Sequence, residues 1–245
     1  MKICIAQTKP IKGDISANIE THIQFIKLAL TLNANAIFFP ELSLTGYEPE
    51  LAKKLATNQN DNRLDIFQET SSKNEIIIGL GLPTTTESKI RISIIIFEPH
   101  KPRQTYSKQQ LHSDELPYFE NGVKQLIIST NDKNIAPAIC YESLQSSHAE
   151  NAFKLGANIY LASVAKPLNG VEKAFNHYPK LAKQYAMPVL MANCIGFCDN
   201  FLSVGKSAVW TKEGKLVGQL DDKMEGILLF DTETEVIIKR NLIND

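Results

Sequence analysis

Cys140 closes an apolar run, Ile135-Ala136-Pro137-Ala138-Ile139, and polar residues follow it at once in Tyr141-Glu142-Ser143. A thiol in that position becomes an effective nucleophile when a base or a nearby cation raises its thiolate fraction at neutral pH. An inert buried cysteine is the commoner state of the residue type, so its partners decide the matter. Two other polar residues stand in comparable places: Glu41 directly after Ala36-Ile37-Phe38-Phe39-Pro40, and Lys108 after Gln104-Thr105-Tyr106-Ser107. Singly, Glu41 reads as a cap or salt-bridge partner and Lys108 as a solvated loop lysine. Together, a carboxylate, an ammonium and a thiol offer the base, the charge stabiliser and the nucleophile of an acyl transfer, with no histidine required.

For these residues to meet, the strands that carry them must be neighbours. Residues 2–8 read as a strand, and Gly13-Asp14 as a turn into a helix with Ile19, Ile23, Ile26 and Leu30 on one face. Ala36 to Phe39 is a short apolar strand stopped by Pro40. A helix over 61–73, a strand over 76–82, a loop over 83–89 and a strand over 91–98 follow. Gln104 opens a strand that leads into the long connection 109–122, which holds Glu115, Pro117, Tyr118 and Phe119, and a loop of that length is usually functional. Strands over 125–130 and 134–139 bring the chain to Cys140, and Ser146-Ser147 caps a helix running to Leu155. A strand over 158–162, a loop over 163–170, a helix over 171–185 and strands over 188–193, 204–210 and 226–231 complete the reading. Strands often follow one another without an intervening helix, which a single parallel sheet does not allow. The pattern suits two packed sheets with helices on their outer faces, in one domain over 1–245.

Composition narrows the function classes. The chain has 245 residues, 43% hydrophobic and 22% charged, with a formal net charge of -1, which recommends neither nucleic acid nor an anionic membrane as a partner. No apolar run matches a signal peptide or a spanning helix, so a cytoplasmic protein is expected. Four cysteines, Cys4, Cys140, Cys194 and Cys198, are too few for a disulfide scaffold, and no second pair completes a zinc set beside Cys194 and Cys198. Neither a metal nor another cofactor is expected.

Three stretches, Phe39-Pro40-Glu41-Leu42-Ser43-Leu44-Thr45-Gly46-Tyr47, Tyr106-Ser107-Lys108-Gln109-Gln110-Leu111 and Ile139-Cys140-Tyr141-Glu142, resemble the three motifs of the nitrilase superfamily of carbon-nitrogen hydrolases. The likeness extends through Gly156-Ala157-Asn158-Ile159, Ala192-Asn193-Cys194-Ile195-Gly196 and Gly205-Lys206-Ser207-Ala208. It implies an α/β fold of the four-layer α-β-β-α sandwich type and a triad of Glu41, Lys108 and Cys140. It also implies a second glutamate at Glu115, and assembly into homo-oligomers, most often dimers. The implied activity is hydrolysis of a small linear amide, the alternatives being nitrile hydrolysis or a non-catalytic module that keeps the fold. Two departures limit the match. No Arg-Phe-Pro follows Cys140, as it does in many ω-amidase-like and carbamoylase-like members, and Gln110 stands where a histidine is common. For substrate contacts the expected residues are Tyr47, Tyr118, Tyr141 and Lys166, the last as a remote anchor for a substrate carboxylate.

Overall fold

The computed structural model describes residues 1–86, 89–130 and 132–242. Seven strands form one sheet: β1 (Lys2–Gln7), β2 (Ala36–Phe38), β3 (Ile77–Thr86), β4 (Lys89–Phe97), β5 (Gln104–Ser107), β14 (Gly226–Asp231) and β15 (Ile237–Asn241), in the spatial order β15-β14-β1-β2-β3-β4-β5. Six form a second: β6 (Ile128–Ser129), β7 (Asn134–Ile139), β8 (Ile159–Val164), β9 (Val189–Asn193), β12 (Ala208–Trp210) and β13 (Leu216–Gln219), in the order β13-β12-β9-β8-β7-β6. A separate hairpin pairs β10 (Ile195–Cys198) with β11 (Phe201–Val204).

Side-chain alternation along the strands explains how the sheets stack. Ile3 and Ile5 of β1 meet Ile135 and Ile139 of β7, Leu161 of β8 and Leu190 of β9 in a core between the two sheets. The intervening residues face outward onto helices. Cys4 and Ala6 pack with Phe25, Ile26 and Ala29 of α1 (Ile15–Thr31) and, beyond the one-turn α2 (Ala52–Leu55) in the chain, with Phe67 of α3 (Asp65–Asn74). On the other side, Ala136, Ala138, Tyr160 and Ala162 pack with Ala149 and Ala152 of α4 (Ser146–Lys154) and with Ala174, Tyr178 and Leu181 of α5 (Leu168–Tyr185). The result is the four-layer α-β-β-α sandwich. Gln7 ties β1 to the far end of the chain, accepting from the Ser207 N–H at 3.0 Å and donating to the carbonyls of Asp221 and Met224 at 2.8 and 2.9 Å. None of the helices among the described residues is long and apolar enough to cross a membrane.

Several boundaries differ from those expected. β3 runs through Pro83 to Thr86 because β4 pairs with it from Ile78 to Thr86, so the loop expected at 83–89 is largely strand; residues 87 and 88 lie outside the described residues. The strand expected at 125–130 contracts to Ile128–Ser129, since the Gln125 side chain is engaged with the His148 carbonyl and with Asn151 instead. Ser163 and Val164 belong to β8 because they pair with Ala192 and Asn193, and α5 starts at Leu168. The run at 204–210 is divided, its first part ending the β10–β11 hairpin and its second joining β9. The helix after Cys140 begins at Ser146 without a side-chain cap; Gln145 occupies the cap position at the end of a 3-10 turn, Cys140–Leu144.

Candidate active site

Glu41, Lys108 and Cys140 all leave the carboxyl ends of strands, two from the first sheet and one from the second, and meet where the sheets face each other. Glu41 sits on a turn held against β3: the Phe39 N–H donates to the Gly79 carbonyl at 2.9 Å, and the Leu44 N–H to the Gly81 carbonyl at 2.9 Å. That approach needs glycine, because a Cβ at Gly81 would lie 2.5 Å from the Leu42 nitrogen and the Pro40 oxygen. His22 braces the same turn, its Nε2 3.0 Å from the Ser43 Oγ and its ring stacked on Phe39.

Lys108 follows β5 at the edge of its sheet and is fully buried. Its Nζ donates to the Glu41 Oε1 at 2.7 Å and to the Glu115 Oε1 at 2.6 Å. Glu115 comes from the long connection, whose far end is pinned when the Gly122 N–H donates to the Lys108 carbonyl at 2.6 Å. The two oxygens of Glu115 are fully engaged, Oε1 also by the Tyr47 hydroxyl at 2.9 Å and Oε2 by the His112 N–H at 2.7 Å. By contrast, Glu41 Oε2 is buried without a hydrogen-bond partner. A buried carboxylate oxygen left open in this way is available for a proton in transit.

Cys140 takes a backbone conformation that a non-glycine residue rarely adopts, with φ +44°. The sharp bend ends β7 and starts the 3-10 turn, so the thiol points into the cavity instead of along the sheet. The turn is locked because the Ser143 Oγ donates to the Cys140 carbonyl at 2.5 Å and meets the Tyr178 hydroxyl at 2.6 Å. The thiol itself lies 3.7 Å from the Ala165 carbonyl and 3.7 Å from the Lys166 Nζ. As the second residue of the turn, Tyr141 presents a backbone N–H for which the turn supplies no acceptor.

Burial dominates the electrostatics. It raises the pKa of Glu41, with Glu115 pushing the same way and Lys108 opposing. Burial also pulls the Lys108 pKa down, but Glu41, Glu115 and the Cys140 sulfur together outweigh it, so Lys108 stays an ammonium. The Cys140 thiol is pushed up to about 11, first by burial and then by Glu41, against the pull of Lys166 and Lys108. Cys140 therefore rests as a thiol, and its use as a nucleophile would require a base beside it.

Lys108, Glu115 and Cys140 line a cavity of about 550 Å³ together with Tyr47, Tyr141, Lys166, Asn169, Lys173, His177 and Phe201; Glu41 is not among its lining residues and reaches the site through Lys108. Of the expected substrate contacts, Tyr47, Tyr141 and Lys166 reach the cavity. Tyr118 is not among its lining residues, being turned outward and 39% exposed, while Phe119 enters the core between the sheets. Lys166 is also closer than expected: a group 3.7 Å from the sulfur is no remote anchor.

Glu142 went unassigned on sequence. It is completely buried and accepts from the Ile139 N–H at 2.7 Å, the Gln109 N–H at 2.5 Å and the Tyr106 hydroxyl at 2.6 Å, bridging the strand before Cys140 to the residues around Lys108. Tyr106 also meets His148, and His148 meets Tyr160, each at 2.8 Å. The available signal was a carboxylate two residues after Cys140, just past the apolar run Ile135–Ile139. Cys194 and Cys198 touch through sulfur at 3.5 Å, both reduced, and no group of metal-ligating side chains occurs among the described residues.

An α-β-β-α sandwich with a buried carboxylate–ammonium–thiol set at the mouth between its sheets defines the class of protein. The carbon-nitrogen hydrolase family model matches residues 2–239, and the chain belongs to that family. Among curated proteins, it is 26% identical to the glutamine-dependent NAD(+) synthetase of Acinetobacter baylyi over 96% of this chain, but it spans only 44% of the synthetase. It is 21% identical to a probable nitrilase of Schizosaccharomyces pombe, covering 95% of this chain and 89% of the relative. Among solved structures, the amidase of Nesterenkonia sp. AN1 superposes with a TM-score of 0.86 at 21% identity, covering 94% of this chain and 92% of that one. A cysteine-to-alanine variant of the same amidase, solved in complex with butyramide, matches with a TM-score of 0.85 at 20% identity, covering 94% of this chain and 89% of that one.

Proposed function

We propose that the protein hydrolyses the carbon-nitrogen bond of a small linear amide through a thioester on Cys140. The observation that carries this reading is Lys108, buried between Glu41 and Glu115 on the wall of the cavity that Cys140 enters. Such a site can deliver a nucleophile, move a proton and hold a developing negative charge without water competing for any of them.

In this reading Glu41 takes the thiol proton, and the sulfur attacks the carbonyl carbon. The oxyanion that forms is held by the Lys108 ammonium and the Tyr141 N–H. As the tetrahedral species collapses, the carbon-nitrogen bond breaks, and Glu41 returns the proton to the departing nitrogen, which leaves as ammonia or an amine. Water then enters; Glu41 takes one of its protons, hydroxide adds to the thioester carbon, and the thiol leaves with that proton while the acid is released. Glu115 orients the Lys108 head and, through the Tyr47 hydroxyl, one wall of the cavity.

The substrate class is narrowed by the relatives and by the rim. Several curated relatives are named for their dependence on glutamine, itself a linear ω-amide, and the cavity is lined by both Lys173 and Asp114, charges that suit an amino acid's carboxylate and ammonium. The likeness to a probable nitrilase keeps nitriles as the second reading. Ammonia release should be measured across glutamine, unsubstituted aliphatic amides, N-carbamoyl compounds and nitriles, beside Cys140→Ala. Turnover of amides that Cys140→Ala abolishes is the expected result. Turnover surviving in Cys140→Ala, or activity confined to nitriles, would overturn the reading.

A further inference from the structure

Lys166 carries a charge that the scheme above leaves unused. The residue is 4% exposed, and both salt bridges of the site belong to Lys108; among the described residues no carboxylate pairs with Lys166. Its polar neighbours are the Cys140 carbonyl at 3.5 Å and the Cys140 sulfur at 3.7 Å. A buried ammonium without a counter-ion is expensive to maintain, yet the fold goes to some length to hold this one. The Lys166 N–H donates to the Asn193 Oδ1 at 2.9 Å, and its carbonyl accepts from the Asn193 Nδ2, the Ser203 Oγ and the Val204 N–H at 3.1 to 3.2 Å. Its stem folds back over the first turn of α5, where a Cβ on Gly170 would lie 3.3 Å from the Lys166 Cβ.

We propose that Lys166 is a second catalytic cation, which pairs with the Cys140 sulfur as the thiol proton passes to Glu41. This rests on Cys140 as nucleophile and Glu41 as its base. The S–H bond breaks, its electron pair stays on sulfur, and the proton bonds to a carboxylate oxygen of Glu41; nothing is oxidised or reduced. Before the transfer, Lys108 holds both Glu41 and Glu115, and Lys166 has no counter-ion among the described residues. Afterwards Glu115 remains with Lys108, the thiolate is opposite Lys166, and Glu41 is neutral, so every charge then has a partner. Lys108, already gripped by two carboxylates, has little field left for the sulfur, and of the two cations that lower the thiol's pKa, Lys166 is the stronger. The other ionisable groups facing this pair are Tyr47 beside Glu115, and Tyr178 and His177 on α5. The arrangement replaces the expected remote carboxylate anchor with a role at the reacting atom.

The test is the rate of Cys140 alkylation by iodoacetamide between pH 7 and pH 10, with the modified peptide identified by mass spectrometry. Lys166→Gln should alkylate about tenfold more slowly than wild type at a given pH, because the thiol becomes about tenfold less acidic without the cation. In turnover it should lower kcat more than it raises KM. Lys166→Arg should recover part of the loss, and Gly170→Ala, which crowds the lysine stem, should shift the profile the same way by less. Superimposed profiles for wild type and Lys166→Gln would overturn the proposal, as would an unchanged profile joined to a KM increase confined to carboxylate-bearing amides. Should Lys166→Gln fail to fold by circular dichroism, an unchanged Gly170→Ala profile overturns it instead. Turnover surviving in Cys140→Ala would remove the nucleophile assignment, a failure separate from that of the ion pair, which alkylation still reads.

Discussion

Glu41 can accept a proton only when ionised, and burial among apolar walls raises its pKa above the 4.5 of a free glutamate side chain. Activity should therefore fall as pH drops through that raised value, giving an acid limb displaced upward from the range of an exposed carboxylate. In Glu41→Gln the limb should disappear along with most of the rate, a loss of roughly 100- to 10,000-fold in kcat, the usual range for a general base. A pH profile of kcat/KM for both proteins checks the claim. At Lys108 the expectation is different in kind. Removing one preorganised oxyanion donor typically costs about 100-fold or more in kcat, so Lys108→Met should act on kcat, and a change in KM alone would reassign the lysine to ground-state binding. Among the cysteines, only Cys140 reaches the cavity, while Cys4, Cys194 and Cys198 are buried elsewhere. Alanine at any of those three should leave turnover intact.

Between residue and molecule stand the turns that deliver these groups, and two of them depend on a single neighbour. Gly81 lets β3 run against the Glu41 turn, so Gly81→Ala must push the Pro40–Leu42 backbone aside by the better part of an ångström. Loss of activity and of thermal stability together is expected, measurable as a lower Tm with a lower kcat. Glu142 serves two elements at once, the Ile139 N–H before Cys140 and the Gln109 N–H after Lys108. Glutamine in its place keeps the shape but offers one acceptor oxygen instead of two, leaving a buried N–H without a partner. Glu142→Gln should cost roughly 1–3 kcal/mol of unfolding free energy in urea, the usual penalty for an unsatisfied buried group. An unchanged midpoint would remove Glu142 from that bridging role.

At the scale of the whole molecule, the buried ionisable groups link stability to pH in opposing senses. His22 and His148 are held neutral by burial, with pKa values lowered from 6.5 to about 4. Between pH 4 and 6.5 the unfolded chain binds protons that the folded protein refuses, so their contribution weakens as the solution is acidified. Glu142 runs the other way: burial lifts it from 4.5 to about 7, against the donors that hold it, so the folded protein keeps a proton that the unfolded chain releases. Its contribution weakens as pH rises from 4.5 to 7. Unfolding free energies from urea titrations between pH 4.5 and 6.5 should accordingly rise more steeply with pH in Glu142→Gln than in wild type, by up to one proton's worth of slope. Parallel curves would contradict these assignments.

Glu41, Lys108 and Cys140 could be singled out as candidates because each stands at the end of an apolar run, where a buried strand stops and a ligand can approach: Glu41 after Phe38-Phe39-Pro40, Lys108 after Tyr106-Ser107, Cys140 after Ala138-Ile139. Alternation and the shortage of crossover helices likewise pointed to two sheets with helices outside. What local pattern could not carry was anything that depends on contacts between distant segments. Pro83 did not end β3, because nine residues of pairing with β4 override one missing donor. Ser146 did not cap its helix, because the 3-10 turn from Cys140 already sets where that helix begins. The bridging role of Glu142, the outward turn of Tyr118 and the 3.7 Å between Lys166 and the sulfur were decided only when β5, β7 and β8 were brought side by side across two sheets. A residue's type declares which charges and hydrogen bonds it can supply; Lys166 finds the Cys140 sulfur 26 positions away along the chain and Lys108 finds Glu41 67 positions away, and only the packed core places them within reach.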